Sequence, residues 1–250
     1  MLFRMTGIVK RFGGLTALDH VDFEVAGGEV MALVGDNGAG KSTLIKVMSG
    51  AHVPDEGTIE MAGRKVSFRS PQDAWTSGIA TIYQELALAG KMTVVDNIFL
   101  GRELKRPILG IPFLDRQAMR KRTGELLADL DVHVPSIDAW MEYMSGGQRQ
   151  GVAIARALNM DARLIIMDEP TAALAVAEVR KVLDFILKLS AQGKSVVLIS
   201  HNIQNVFEVS NRISVMRHGR RIAVRETART SPQEIIGLIT GAHEARAAAS

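Results

Sequence analysis

The chain has no cysteine in its 250 residues and no apolar run long enough to cross a bilayer. Its longest uninterrupted stretches, such as Leu164 to Met167 and Val196 to Ile199, fall far short of the ~20 apolar residues a spanning helix needs. Residues 1 to 12 lack the apolar core of a secretory signal, so the chain is expected to stay where it is made. The absence of disulfides agrees with a reducing compartment. A strong excess of one charge is missing too. The net charge is +3, and the basic residues are spread out, with Lys105-Arg106 and Arg217 to Arg221 the densest groups. That gives almost no electrostatic footprint for nucleic acid, so no nucleic-acid partner is expected and these groups read as solvated surface. What is present is a 47% hydrophobic composition, enough to bury a substantial core as one large domain or two small ones.

Against this background one motif stands out. Gly35-Asp36-Asn37-Gly38-Ala39-Gly40-Lys41-Ser42 fits the pattern G-x-x-x-x-G-K-[S/T]. It follows the apolar run Val30 to Val34 and precedes Thr43-Leu44-Ile45-Lys46-Val47-Met48, which gives the strand, tight turn and helix start that confirm the motif. Glycines let the backbone approach a polyphosphate and aim N–H groups at it, and the helix start adds about half a positive charge. Lys41 is placed for the β- and γ-phosphates and Ser42 for a magnesium ion. The pattern occurs once, so one chain holds one such site.

Residues 2 to 34 alternate apolar and polar, as in Val21-Asp22-Phe23-Glu24-Val25, with Gly27-Gly28 as a turn, and read as antiparallel strands leading into the nucleotide strand. Thr58 to Met61 and Lys65 to Phe68, around Ala62-Gly63-Arg64, read as a hairpin on the same sheet. A short strand follows from Ile79 to Tyr83. From about residue 86 to 160 the pattern turns helical, clearest from Asp115 to Leu130, with Arg106 to Pro112 as a connecting loop. This stretch reads as a helical subdomain inserted into the sheet domain. Strands at Leu164 to Asp168, Ser195 to Ser200 and Ile213 to Arg217, with a helix at Ala177 to Leu189, imply a parallel sheet covered on both faces. The fold class is therefore α/β, with a mostly parallel mixed sheet, an N-terminal antiparallel subdomain and an inserted helical one. Residues 243 to 250 are expected to form a frayed tail.

Two further segments carry chemistry. The buried run Leu164 to Met167 delivers Asp168 and Glu169 to the ligand crevice at the C-terminal end of a parallel sheet. Asp168 is placed to hold magnesium through water, and Glu169 to orient and deprotonate an attacking water. Ser145-Gly146-Gly147-Gln148 precedes the helical run Val152 to Leu158 and puts a serine cap and two glycines at a helix start. Physics alone favours a capped helix there over a second anion site.

The ordered set is larger than these parts. With Gln84 in Tyr83-Gln84-Glu85 and His201 after the strand Val196 to Ser200, the chain strongly resembles the ATP-binding cassette ATPases over residues 3 to about 242, as a single cassette. The resemblance reverses the reading of the Ser145 segment. It implies that Ser145, Gly146, Gly147 and Gln148 of one subunit grip the γ-phosphate held by the phosphate loop of another, Gly35 to Ser42 with Thr43. It implies further that Gln84 ligates magnesium and senses the partner, that His201 holds the γ-phosphate and attacking water beside the catalytic Glu169, and that Phe12 stacks on adenine.

Leu100-Gly101-Arg102-Glu103, Glu169-Pro170-Thr171-Ala172-Ala173-Leu174 and Ser200-His201-Asn202 are similar to the bacterial monosaccharide-uptake class (ribose, xylose, fructose type). That class implies a homodimer with ATP and Mg as cofactors, on the cytoplasmic face of the membrane. A separate permease would dock in a groove around residues 84 to 102, and an external sugar-binding protein would feed it. Two positions depart from the family pattern. Met144 stands where leucine is usual, a volume-conserving change. Ala175 follows Leu174 where aspartate is common, which removes a carboxylate expected to join the two sites. The alternatives are a DNA-repair or translation clamp, a non-hydrolysing regulatory subunit and an exporter. The first lacks the expected coiled coils, the second is opposed by intact Glu169 and His201, and the third by the absence of a fused membrane span.

Overall fold

The computed structural model describes residues 1–108, 110–172 and 174–242, so the anticipated tail at 243–250 lies outside the described residues. Three strand sets organise the chain. β1 (Phe3–Phe12), β2 (Leu15–Val25), β4 (Glu56–Met61) and β5 (Arg64–Val66) form an antiparallel sheet in the order β2-β1-β4-β5. β3 (Val30–Gly35) leaves that layer and enters a second sheet, after which the chain forms α1 (Lys41–Met48), α2 (Pro71–Thr76) and β6 (Ile79–Ile82). Then come α3 (Val94–Phe99), β7 (Lys105–Ile108), β8 (Ile111–Leu114), α4 (Arg116–Asp129) and α5 (Gly146–Asn159). The last third alternates as β9 (Leu164–Asp168), α6 (Val176–Ala191), β10 (Ser195–Ile199), α7 (Ile203–Val209), β11 (Arg212–Arg217), β12 (Arg220–Glu226) and α8 (Pro232–Thr240).

The second sheet has the order β12-β11-β3-β10-β9-β6, parallel except for the antiparallel edge strand β12. Every residue of β3 and β10 is buried, the continuous apolar pattern of strands covered on both faces. β2 instead alternates, with Val21, Phe23 and Val25 buried and Asp22 exposed. Its inner face packs with Leu44, Ile45 and Met48 of α1 in one core, which seats the helix after the phosphate loop between the two sheets.

α5 is packed on two sides. Val152 and Ala155 join a cluster with Val94, Ile98 and Phe99 of α3, Met119, Leu126 and Leu127 of α4, and Met144. Ala153, Ile154 and Ala157 join another with Ile165 and Met167 of β9 and Val182 and Ile186 of α6. The continuous apolar run Val152 to Ala155 fits a helix that is a wall shared by two cores, while its polar residues Gln148, Arg149 and Arg156 occupy the remaining face. Met144 is buried in the first cluster, the packing role expected of a leucine.

The expected helix from Asp115 to Leu130 is α4, with Asp115 as its N-cap, accepting from Ala118 N–H at 3.0 Å. The expected connecting loop at Arg106 to Pro112 is corrected: it lies within the two-stranded hairpin β7–β8, in which Pro107 faces Pro112. Each strand of a two-stranded ribbon has a free edge, so proline there removes no ladder bond. Helices α2, α7 and α8 and the strand β12 were not anticipated.

The segment between Gln84 and α3 is pinned by Asn97, which is fully buried. Its amide oxygen accepts from Ala89 N–H at 2.8 Å, and its amide nitrogen donates to Ala89 O at 3.1 Å and Thr93 O at 3.0 Å. Replacing Asn97 by Ala strands those buried groups, and about 2 kcal/mol of stability should be lost. The check is urea unfolding, in which the midpoint falls at unchanged slope; an unchanged midpoint means that the segment is held by other contacts.

Candidate functional site

The phosphate loop begins where β3 ends. Gly35 has φ 155°, and a Cβ there would collide with the Met216 carbonyl of β11. Gly40 has φ 100°, and its Cβ would lie 2.8 Å from Ala17 O. Both positions therefore need glycine for the left-handed backbone and for the close approach. The loop is tied from outside by Gly219 N–H donating to Ala39 O at 3.1 Å. Lys41, the first residue of α1, curls back over the loop and donates from Nζ to Gly35 O at 2.6 Å and Asp36 O at 2.9 Å. Burial pushes the Lys41 ammonium down, and the charges of Glu169, Asp36 and Asp168 oppose that shift. Ser42 is exposed and Thr43 half-buried beside it.

β9 ends in Asp168, and Glu169 follows with φ 51°, a left-handed backbone that costs a non-glycine residue energy. Its N–H donates to Ile199 O at 3.0 Å. Glu169 Oε2 accepts the His201 backbone N–H at 3.3 Å. Oε1 lies 3.3 Å from His201 Nε2, close enough for charge contact, yet it is buried and receives no hydrogen bond. Burial raises both carboxylates: Lys41 chiefly opposes the shift at Asp168, and His201 at Glu169. Two half-buried acids, one ammonium and an imidazole thus share one small region where charge interactions are poorly screened.

One open cleft of about 810 Å³ brings the cis candidates together. Phe12, Asn37 to Thr43, Gln84, Asp168, Glu169 and His201 all line it. Gly35 and Asp36 contribute through the loop and through their carbonyls on Lys41. Phe12 stands at the β1–β2 turn, 44% exposed and edge-on to His52 at 5.3 Å, so one ring face can take a flat partner. Tyr83 Oη donates to Ser49 Oγ at 2.9 Å and fixes the strand end before Gln84 to the helix that carries Lys41.

Sequence reasoning missed Leu15, Thr16, Ala17, His218 and Gly219, which also line the cleft. The clue was the His-Gly step inside Arg217 to Arg221, a turn signal hidden in a basic run. The reading of that run as solvated surface is corrected in part. Arg220 pairs with Asp19 and Arg221 with Asp22 of β2, so the basic turn makes surface ion pairs from the parallel sheet to the antiparallel one.

Ser145, Gly147 and Gln148 lie elsewhere. They line a separate cavity of about 230 Å³ with Leu130, Val132, His133, Glu178 and Lys181. Ser145 caps α5 in a capping box: its Oγ accepts from Gln148 N–H at 3.3 Å, and Gln148 Oε1 accepts from Ser145 N–H at 2.9 Å. Gly146 follows at the first helical position with Leu174 packed near it. The capped helix start that physics favours is therefore present, and within one chain this segment does not reach the phosphate-loop cleft.

Among the described residues no three of His, Cys, Asp and Glu cluster as a metal cage. Magnesium beside phosphates does not need one, since one or two protein oxygens suffice. Ser42, Gln84 and Asp168 offer oxygens around the loop, and the unpartnered Glu169 Oε1 is a buried polar atom facing the same cleft. That donor set fits a hydrated Mg²⁺ held mainly by phosphate. The arrangement offers a phosphate-sized cradle beside two half-buried carboxylates and an imidazole.

A family model described as ABC transporter matches residues 18–172. The fructose import ATP-binding protein FrcA of Rhizobium meliloti is 48% identical over 242 residues, covering 95% of this chain and 93% of that protein. The xylose/arabinose import ATP-binding protein XylG of Sulfolobus acidocaldarius is 46% identical, covering 96% and 94%. The ribose import ATP-binding protein RbsA 2 of Rubrobacter xylanophilus is 43% identical over 96% of this chain but only 46% of its own length. Among solved structures, a nucleotide-free ATP-binding cassette from an ABC transporter matches with TM-score 0.79 and 27% identity, covering 96% of this chain and 95% of that one. A dimeric cassette in a post-hydrolysis state with ADP and Pi matches with TM-score 0.77 and 25% identity, covering 90% and 99%.

The crowding at Gly35 is directly testable. Gly35→Ala should displace the loop, costing about 1–3 kcal/mol of stability and weakening Mg-ATP binding about tenfold or more, equivalent to 1.4 kcal/mol. Gly14→Ala, where a Cβ meets no atom within 4 Å, should change neither. Calorimetric titration with ATP, paired with urea unfolding, separates the two; normal ATP affinity in Gly35→Ala would refute a rigid loop.

Proposed function

This chain belongs to the ABC transporter family, and from that premise we propose that it is the ATP-hydrolysing subunit of a monosaccharide importer, acting as a homodimer on the cytoplasmic face of a membrane. Residues 3–242 would act as one cassette, with the helical part at about 86–160 inserted in it. The observation that carries the proposal is the single cleft in which Phe12, the phosphate loop, Gln84, Asp168, Glu169 and His201 meet. The names of the fructose, xylose/arabinose and ribose relatives support the sugar class.

In this reading the loop N–H groups and the start of α1 hold the triphosphate, Lys41 meets the β- and γ-phosphates, and Phe12 stacks on the base. Ser42, Gln84 and Asp168 would hold Mg²⁺, which when bound neutralises charge shared by the β- and γ-phosphates. Ser145 to Gln148 of a second copy close over the γ-phosphate. Glu169 takes a proton from the attacking water as its oxygen bonds to the γ-phosphorus and the bond to the ADP oxygen breaks. His201, whose backbone N–H already fixes Glu169, orients the water and phosphate. Burial raises the affinity of Glu169 for a proton, which suits a general base better than a solvated carboxylate.

No described helix is long and apolar enough to cross a membrane; in this reading a separate permease supplies the path. A cavity of about 150 Å³ between α2, the strand end at Tyr83 and α5 offers it a surface. Trp75, Tyr83, Leu86, Arg156 and Met160 line this cavity, and the Arg102 guanidinium lies 5.3 Å from the Trp75 ring centre. An external sugar-binding protein would deliver the cargo.

Glu169→Gln should lower steady ATP hydrolysis by about 10² or more while leaving nucleotide binding intact. In sedimentation with Mg-ATP this variant should form a stable dimer, whereas the wild type and the variant without ATP stay monomeric. A variant that hydrolyses ATP normally excludes Glu169 as the base, and one that binds ATP yet stays monomeric argues against the trans site.

A further inference from the structure

The start of α5 already holds an anion, and it comes from the same chain. Glu178, in the first turn of α6, places Oε1 3.2 Å from the Gly147 nitrogen and accepts its N–H. The other oxygen accepts the Ala175 N–H at 3.3 Å. The fit is so close that a Cβ on Gly147 would collide with the Glu178 carboxylate. Leu174 packs near Gly146, so the residue just before Ala175 lies against the same helix start. A helix N-terminus favours a carboxylate and a phosphate for the same reason, through free N–H donors and the macrodipole. Only one of them can take the Gly147 donor.

We propose that Glu178 is a displaceable internal anion that holds the Gly147 donor until the γ-phosphate on a second copy of this chain competes it away. The proposal rests on the reading of Ser145 to Gln148 as a phosphate contact made in trans. The displaced carboxylate has somewhere to go. Lys181 lies three residues on along α6, the spacing at which helix side chains meet, and both residues line the cavity of about 230 Å³ beside Ser145. Lys181 makes no ion pair with any described residue. Glu178 therefore holds the Gly147 N–H and has the uncommitted Lys181 ammonium within side-chain reach, so an arriving phosphate can shift it from the first to the second. Because Glu178 also holds Ala175, its release loosens the segment that leads back to Glu169. Filling one half of the shared site is thereby reported to the catalytic carboxylate of the chain that supplied Ser145, although Ala175 lacks the carboxylate that could do this directly.

The test uses the full chain in the Glu169→Gln background, reading the ATP concentration that gives half-maximal dimer by light scattering with Mg²⁺ present. Adding Glu178→Gln keeps an acceptor for one N–H but removes the charge, and should lower that concentration roughly fivefold, because charged acceptors bind about twice as strongly as neutral ones. Lys181→Met removes the second partner and should raise it, and this rise should vanish when Glu178→Gln is also present. A Glu178 that only caps α6 predicts the opposite sign, because a poorer cap makes a poorer dimer. An unchanged or raised ATP requirement in Glu178→Gln, or a Lys181→Met effect that persists without Glu178, overturns the proposal. If Glu169→Gln alone binds ATP and never dimerises, the trans reading itself fails, a result distinct from either.

Discussion

The site depends on how tightly the backbone of the phosphate loop is boxed in. β3 lies between β10 and β11, and Gly35 presses against the carbonyl of Met216. Gly40 is held in the same way by Ala17 of β2, and the β11–β12 turn holds Ala39 through Gly219. The loop is therefore crowded by the parallel sheet, the antiparallel sheet and a turn at once, and it is fixed further from within by the Ala39 N–H donating to Asp36 O at 3.1 Å. Donors fixed in advance cost no reorganisation when charge develops on a phosphate. The apolar core shared by β1, β2, α1 and the parallel sheet holds the two sheets in the relation that makes this grip possible, and ion pairs of Arg220 with Asp19 and Arg221 with Asp22 bridge them at the surface.

Rigid geometry then sets the electrostatics. Lys41, Asp168 and Glu169 are all drawn partly out of water, and burial acts on each in the direction that disfavours its charge. The ammonium and the two acids compensate one another, which makes the cleft tolerable without ligand. Glu169 carries the largest burden. Its backbone is left-handed, one carboxylate oxygen is unpartnered, and the other is held only by the His201 N–H. A left-handed backbone and a buried oxygen without a hydrogen bond coincide at this one residue, and both cost stability.

The parts of this arrangement legible in the sequence are those in which a run of residue types is itself the mechanism. Gly35 to Ser42 could be read because glycine spacing, lysine and helix start all serve one phosphate, and Asp168-Glu169 because a buried strand must end where ligands bind. The α4 helix was legible through Asp115 and its apolar period. The hairpin at β7–β8 was not, since Pro107 and Pro112 argue against strands unless both edges are free, and freedom of an edge is a tertiary fact. The cleft walls at Ala17 and Gly219 were invisible for a similar reason: they act through carbonyl and N–H groups, which every residue has. Arg217 to Arg221 looked solvated because its partners, Asp19 and Asp22, are about two hundred residues earlier in the chain.

The same distinction explains why one segment served two readings. Ser145 and Gln148 form an ordinary capping box, and nothing in that geometry asks for a ligand. What sets this helix start apart is its support. α5 rests on β9 through Ile154 and on α6 near Val182, so its N-terminus is mechanically tied to the strand that ends in Asp168 and to the segment that follows Glu169. A force that shifts the Ser145 end must be taken up by that segment, because the buried faces of α5 against β9 and α3 leave no slack in a close-packed core. The first turn of α6 is weakly capped: Ala175 offers no side-chain oxygen, and the carboxylate of Glu178 is divided between Ala175 and Gly147. Any movement of the α5 start is therefore passed on through backbone and one glutamate at this turn, since Ala175 has no side-chain carboxylate to carry it.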